Sequence, residues 1–231
     1  MMSSFSPQTI PYMQIKRIFD VFYASIGLVM LALPLSCITL LIRITEGDPA
    51  LFRQERIGKN GVPFTCYKIR SMHTDAPLCA AAALSHPEQY ITPIGKFLRR
   101  TSLDEITQLY NVLRGDMSLI GPRPLIPNER TVHKARHASG ASLIRPGISG
   151  LAQIASRDRL TDHQKVWLDT IYAERMSPWL DLALLARTFS RIYHSDHFKA
   201  HTKGFSYETA FILPHRRGIA HSFAPQHRHV K

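Results

Sequence analysis

Two adjacent acids, Asp104 and Glu105, sit in the stretch FLRRTSLDEITQLYNVLRGDMSLIGPRP, and Arg99, Arg100, Arg114, Arg123 and Arg145 fall near tight turns or helix ends in the same part of the chain. A carboxylate with an ordinary pKa of about 3.9 is ionised at neutral pH, so it can attack an electrophile with no base to deprotonate it. Guanidinium groups at turns suit bidentate binding of phosphate. A diphosphate repels an anionic nucleophile, and arginines together with a divalent metal offset that repulsion by neutralising phosphate oxygens. Neighbouring residues on a helix point about 100° apart, so Asp104 and Glu105 cannot serve the same atom, and one nucleophile with one supporting carboxylate is the natural division. A plainer alternative stands beside this one: a first-turn carboxylate contributing about 0.3–1 kcal/mol through the helix dipole, among solvated surface arginines. His133 and His137, four apart, have the spacing of metal ligands on one helix face, but no acid completes an HExxH pattern and exposed histidines are expected.

The elements that must position these residues are partly visible in the spacing. Leu103, Ile106, Leu109, Tyr110 and Leu113 fall at helical intervals, Gly115 supplies a C-terminal stop, and Ser102 with Glu105 has capping-box spacing. Asp104 and Glu105 are therefore expected in a first helical turn, whose free N–H groups stabilise negative charge. Upstream, LFRQERIGKNGVPFTCYKIRSM reads as two strands joined at Gly58-Lys59-Asn60-Gly61. Residues 76–93 read as a loop with at most one short helix. Residues 128–137 and 163–174 read as helices, and RPGISG as a tight turn. Ser177-Pro178 opens a last helix, WLDLALLARTFSRIY, which either packs in the core or lies in a membrane interface anchored by Trp179.

Composition narrows the class. With 231 residues, 45% hydrophobic and 20% charged, the chain is one domain with an appendage and is neither disordered nor collagen-like. A net charge of +12 predicts attraction to nucleic acid, an anionic membrane face or a phosphorylated small molecule. Its three cysteines, Cys37, Cys66 and Cys79, lack disulfide or zinc spacing and fit a reducing compartment.

Residues 21–42 contain no charge, a run of about 22 residues where about 20 would cross a bilayer core. No cleavage site follows it, which argues against a signal peptide. Pro34 in its middle costs a straight helix about 3 kcal/mol and favours a bent helix-turn-helix. Lys16 and Arg17 before the run, and Arg43, Arg53, Arg56 and Lys59 after it, draw both ends to the cytoplasmic side. A re-entrant hairpin is favoured over a spanning helix, although interspersed acids and the tolerance of spanning helices for proline leave the latter open. Three regions follow: residues 1–48 with the membrane segment, residues 49–194 with the chemistry, and a basic, histidine-rich tail over 195–231.

In order along the chain, KRIFD with the proline-broken apolar run, YKIRSM, the SLDE segment, NVLRGDMSLIGPRP and RPGISGLAQ closely resemble the bacterial sugar transferases called small monotopic phosphoglycosyl transferases. The resemblance implies an α/β fold, mostly helical with a small β-hairpin or sheet. It further implies transfer of a phospho-sugar from a UDP-sugar to a polyprenyl phosphate with release of UMP, at the cytoplasmic face of a bacterial inner membrane, as the first membrane step of glycan assembly. By the same resemblance Asp104 is the nucleophile of a covalent intermediate, Glu105 its partner, and Mg²⁺ binds at this pair. Lys68 and Arg99 match basic active-site positions, and Arg123 and Arg145 contact phosphate or nucleotide. Members of the family usually carry Ser-Pro at the break, whereas this chain has Leu33-Pro34 with Ser36 following.

A polyprenyl tail leaves a bilayer at about 0.8 kcal/mol per exposed methylene, so such an active site must come to the membrane surface, where anionic lipid is a natural partner of a cationic chain. The competing classes are a membrane-tethered polyanion-binding module and an inactive scaffold. Cations clustered beside a carboxylate pair favour the enzyme, and no nucleic-acid partner is expected.

Overall fold

The computed structural model describes residues 9–77, 86–156 and 160–193. Cys79 and the basic tail expected over 195–231 lie outside the described residues. The described chain is mostly helical with two two-stranded sheets, as expected, and opens on one long apolar helix.

That helix, α1 (Thr9–Glu46), continues through Pro34, so the turn expected there is absent and the proline is accommodated inside the helix. Ser36 Oγ donates to the Ala32 carbonyl at 2.8 Å and Thr39 Oγ1 to the Ser36 carbonyl at 3.0 Å. Such hydroxyl bonds to helix carbonyls are compatible with bending a helix without ending it. Near each end of the apolar run one side chain is buried on the rest of the chain. Ala24 is fully buried in a cluster with Cys66, Val112 and Met117, and Ile42 in another with Ala50, Ile69 and Leu98. Between them Val29, Met30 and Leu33 are 78%, 74% and 75% exposed.

The N-terminal turns of α1 are latched by polar side chains. The Lys16 ammonium pairs with Asp181, Tyr12 donates to the same carboxylate at 2.7 Å, and Asp20 accepts the Leu119 N–H at 3.1 Å. At the other end Arg70 donates to the Glu46 and Gly47 carbonyls at 3.0 and 2.6 Å, satisfying acceptors that a helix C-terminus leaves free.

The expected hairpin is present. Strands β1 (Leu51–Ile57) and β2 (Pro63–Ile69) pair antiparallel, with Leu51 opposite Ile69 and Ile57 opposite Pro63. Helix α2 (Pro93–Thr101), capped by Thr92, precedes a 3₁₀ turn over Leu103–Glu105 and then α3 (Gln108–Arg114), which stops at Gly115 in the left-handed region, as its position predicts.

The GDMSLIGPRP and RPGISG motifs explain one another. They form a parallel pair, β3 (Ser118–Ile120) and β4 (Gly147–Ser149), joined by Ser118 N–H to Pro146 O at 2.8 Å, Gly121 N–H to Ser149 O at 2.9 Å and Gly147 N–H to Pro122 O at 2.8 Å. The backbones approach so closely that a Cβ at Gly147 would lie 2.0 Å from Gly121 N, and one at Gly150 2.0 Å from Gly121 O. Only glycine permits that contact. What reads as turn punctuation is a sheet.

Helices α4 (Arg130–Ser139), α5 (Leu151–Ser156), α6 (Asp162–Arg175) and α7 (Pro178–Tyr193) complete the domain. Thr161 and Gln164 form a capping box on α6, and Ser177 Oγ accepts the Leu180 N–H at the start of α7. Helix α7 packs in the core through Leu184, which is fully buried, while Trp179, Leu182 and Phe189 are exposed.

Candidate active site

Strand alternation puts Cys66 and Lys68 of β2 on one face. The Lys68 ammonium reaches Glu105 Oε1 at 2.8 Å, with both side chains largely buried. Arg56, Gln108 and Arg123 line the same small cleft. Three cations therefore face one carboxylate in a confined space, an arrangement that attracts a multiply charged anion.

The capping box expected at Ser102 is not formed. Helix α2 runs to Thr101, so Ser102 ends it instead, with its N–H on the Arg99 and Leu98 carbonyls, φ at 57° and no side-chain cap bond. A non-glycine residue in that region costs about 1–2 kcal/mol and is found where a site fixes the backbone. The left-handed step reverses the chain into the 3₁₀ turn that carries Asp104, half-buried, and Glu105, buried. The acids thus precede α3 rather than occupy its first turn, and the lysine, more than a helix dipole, balances Glu105.

Asn111 fixes the turn against β2. Fully buried on α3, it accepts the Tyr67 N–H at 3.2 Å and donates to the Thr65 carbonyl at 2.7 Å and to Asp116 at 3.1 Å. Thr107 Oγ1 adds a bond to the Tyr67 carbonyl at 3.0 Å. Sequence reasoning missed Asn111, Gln108 and Arg56; for the first two, on α3, the available signal was a polar side chain on the buried face of an otherwise apolar helix, whereas Arg56 on β1 gave none.

The other expected positions are distributed. Arg123 is in the cleft, and Arg99 lies on the last turn of α2 with its Nε on Ser71 Oγ at 2.9 Å. Arg145 sits at the far end of α3, donating to the Gly115 carbonyl at 2.8 Å, where Arg17 donates to the Val112 and Leu113 carbonyls. Lys59 lies near Arg145, and burial first, then that positive charge, push its amine below the usual lysine range.

Among the described residues no group of three or more His, Cys, Asp or Glu could hold a metal. Glu105 lines the cleft and Asp104 precedes it on the same turn; carboxylates are hard oxygen ligands of the kind Mg²⁺ takes together with phosphate oxygens. His133 and His137 are not a metal pair. His133 Nε2–H donates to the Ile126 carbonyl at 3.0 Å, half-buried, while His137 is exposed, and both line a separate cleft.

The bacterial sugar transferase family model matches residues 11–195. The chain is 43% identical over 157 residues to a putative undecaprenyl-phosphate N-acetylgalactosaminyl 1-phosphate transferase of Bacillus subtilis, covering 64% of this chain and 87% of that protein. It is 37% identical over 190 residues to the UDP-glucose:undecaprenyl-phosphate glucose-1-phosphate transferase of Caulobacter vibrioides, covering 78% and 70%. It is also 39% identical over 185 residues to the galactosyl transferase CpsE of Streptococcus agalactiae, covering 75% of this chain but only 41% of that longer protein. The match takes in the long apolar helix, the glycine-paired strands and the Lys68–Glu105 cleft alike, and the chain belongs to the bacterial sugar transferase family.

Proposed function

We propose that this chain transfers a sugar-1-phosphate from a UDP-sugar to a polyprenyl phosphate, in two displacements at Asp104. A carboxylate oxygen of Asp104 attacks the sugar-bearing phosphorus, and the bond from that phosphorus to UMP breaks, UMP leaving with the electron pair. A phosphate oxygen of the polyprenyl phosphate then attacks the same phosphorus and Asp104 departs as the free carboxylate. The observation that carries the reading is the Lys68–Glu105 pair at 2.8 Å beside Arg56 and Arg123, which supplies positive charge at one residue's remove from Asp104. The names of the relatives, which act on undecaprenyl phosphate, agree with it.

Asp104 and Glu105 would hold Mg²⁺ here. When bound, the ion neutralises phosphate oxygens. Arg123 and Arg56 bind the diphosphate and orient it toward the turn, and Lys68 holds the Glu105 side chain in place.

The setting is the cytoplasmic face of the bacterial inner membrane, with α1 entering the bilayer and returning. Two facts support this: Ala24 and Ile42 pack on the same domain, and Val29, Met30 and Leu33 between them are largely exposed. A spanning helix would separate its ends by about 30 Å of hydrocarbon. Anionic lipid would meet the flanking cations.

Two experiments test this reading. Intact-mass spectrometry of protein incubated with UDP-sugar and Mg²⁺ is expected to show a phospho-sugar adduct that Asp104→Asn lacks; full activity in that variant without an adduct overturns the covalent route. Cysteines placed before and after the apolar run are expected to react with an impermeant reagent from one side only, and labelling from opposite sides rejects the re-entrant path.

A further inference from the structure

A second cleft is larger than the proposed catalytic one. A cleft of about 420 Å³ opens between the β1–β2 turn and α4. Its walls alternate with those of the active site along the same backbone: Ile57 lines the one and Arg56 the other, as do Pro122 and Arg123, and Pro146 and Gly147. The two clefts therefore lie back to back across a single layer of chain.

Its chemistry is divided by depth. Pro122, Pro146, Ile144 and Ala141 form a buried apolar floor. Into it faces Ser142, whose Oγ is buried with no hydrogen-bond partner. A buried hydroxyl left unpaired is destabilising, and a ligand's polar edge would recover that loss. At the mouth Arg130, Lys134 and His137 are exposed, spaced i, i+4 and i+7 along one face of α4. Among the described residues no carboxylate lines the cleft. Neither Arg130 nor Lys134 has an ion pair among the described residues, and Glu129 is turned back onto the Ile126 N–H at 2.8 Å. Arg136, at the inner side, is already held by Asp169.

From this geometry we infer that the α4 cleft is a second binding site, for a nucleoside monophosphate, separate from the catalytic cleft. The volume lies within the range of small-molecule pockets and far exceeds what inorganic phosphate would fill. A bare sugar phosphate would set hydroxyls against the apolar floor without partners. A nucleobase instead offers flat apolar faces to the prolines and a polar edge to Ser142, while its phosphate reaches the cationic mouth. That the ligand is UMP rests on the transfer proposed above, which releases it.

The full-length protein, reconstituted in phosphatidylcholine nanodiscs, is irradiated with 4-thiouridine 5′-monophosphate and the adducts are mapped by peptide mass spectrometry. Adducts are expected both at the catalytic cleft and within residues 127–146, the latter suppressed by excess unlabelled UMP. Combined Arg130→Glu and Lys134→Glu is expected to lower the 127–146 adduct at least tenfold. Ser142→Leu, which fills the floor without altering charge, should do the same and decides the matter if the charge reversals misfold. Adducts confined to the catalytic cleft, or a 127–146 adduct untouched by these variants, overturn the proposal. So does a 127–146 adduct displaced by polyprenyl phosphate or phosphatidylglycerol in the nanodisc but not by UMP, which would make this a lipid-phosphate site. UMP release from UDP-sugar by the same preparation separates the two readings: active protein without the second adduct removes only the site, and inactive protein with it removes only the transfer.

Discussion

Lys68 and Glu105 come from a strand and a 3₁₀ turn 37 positions apart and meet at 2.8 Å with both side chains mostly withdrawn from water. Removing one partner of a withdrawn pair leaves the other's charge unbalanced. Lys68→Met is therefore expected to destabilise the domain by about 1–3 kcal/mol and to lower turnover at least about tenfold, with Lys68→Arg recovering part of the activity. Urea unfolding and UMP release measure the two effects; wild-type turnover in Lys68→Met would remove this pair from the site.

The glycine contact between the two loop motifs makes a comparative prediction. A Cβ at Gly147 meets the Gly121 backbone at 2.0 Å, whereas one at Gly61, also part of a turn and at φ +78°, meets nothing within 4 Å. Gly61→Ala incurs only the left-handed strain of about 1–2 kcal/mol. Gly147, which is not among the glycines at positive φ, carries no such strain, but Gly147→Ala must separate β3 from β4 and shift Arg123, so it is expected to unfold at clearly lower denaturant and to lose activity. Equal midpoints for the two variants would contradict the close approach.

Much of this was legible in the sequence because local signals dominate there. Gly58-Lys59-Asn60-Gly61 between two strand-like runs produced a hairpin, Gly115 ended α3, and Ser177-Pro178 opened α7. The setting of Asp104 and Glu105 was not legible, because Ser102 obeys a long-range instruction. Its spacing to Glu105 matches a capping box, but α2, started by Thr92 and Pro93, reaches Thr101 and leaves Ser102 as a left-handed terminus. The parallel pairing of residues 118–120 with 147–149 has no local signature, since each strand is three residues long and its glycines also read as turns. The convergence of Lys68, Glu105 and Arg123 follows from that pairing and from Asn111 binding β2, so spacing alone could not place them.

Cys66 lines the Lys68–Glu105 cleft yet is only 2% exposed, and burial pushes its thiol above the usual cysteine range despite nearby Lys68 and Arg56. The thiolate is the reactive form. In a chain with Cys37 and Cys79 replaced by serine, iodoacetamide at neutral pH is expected to modify Cys66 at less than about a tenth of the rate found after unfolding in urea. Rapid labelling of the folded protein would show the cleft to be open to its floor.

Asp181 joins three elements through one carboxylate: it accepts from Tyr12 and Lys16 of α1 and from Tyr172 of α6, the last at 2.7 Å, while Tyr172 also donates to the Ile120 carbonyl at 3.1 Å. Asp181→Ala strands a buried ammonium that retains only Asp20, at 3.7 Å, and is expected to cost about 3–5 kcal/mol and to expose the N-terminal turns of α1 to hydrogen exchange. Tyr172 adds a pH signature. Burial first, and then the Asp181 charge, raise its phenol well above the ordinary value of about 10. Below that value both folded and unfolded chains keep the proton and the network's stability is complete. As pH climbs past it, the unfolded chain releases a proton that the folded chain still holds, so stability falls. Tyr172→Phe, less stable at pH 7, is expected to lose less further stability between pH 9 and about 11 than the parent does. Thermal unfolding across that range checks it, and parallel alkaline slopes would mean that Tyr172 does not hold its proton through the carboxylate that latches α1 to the domain.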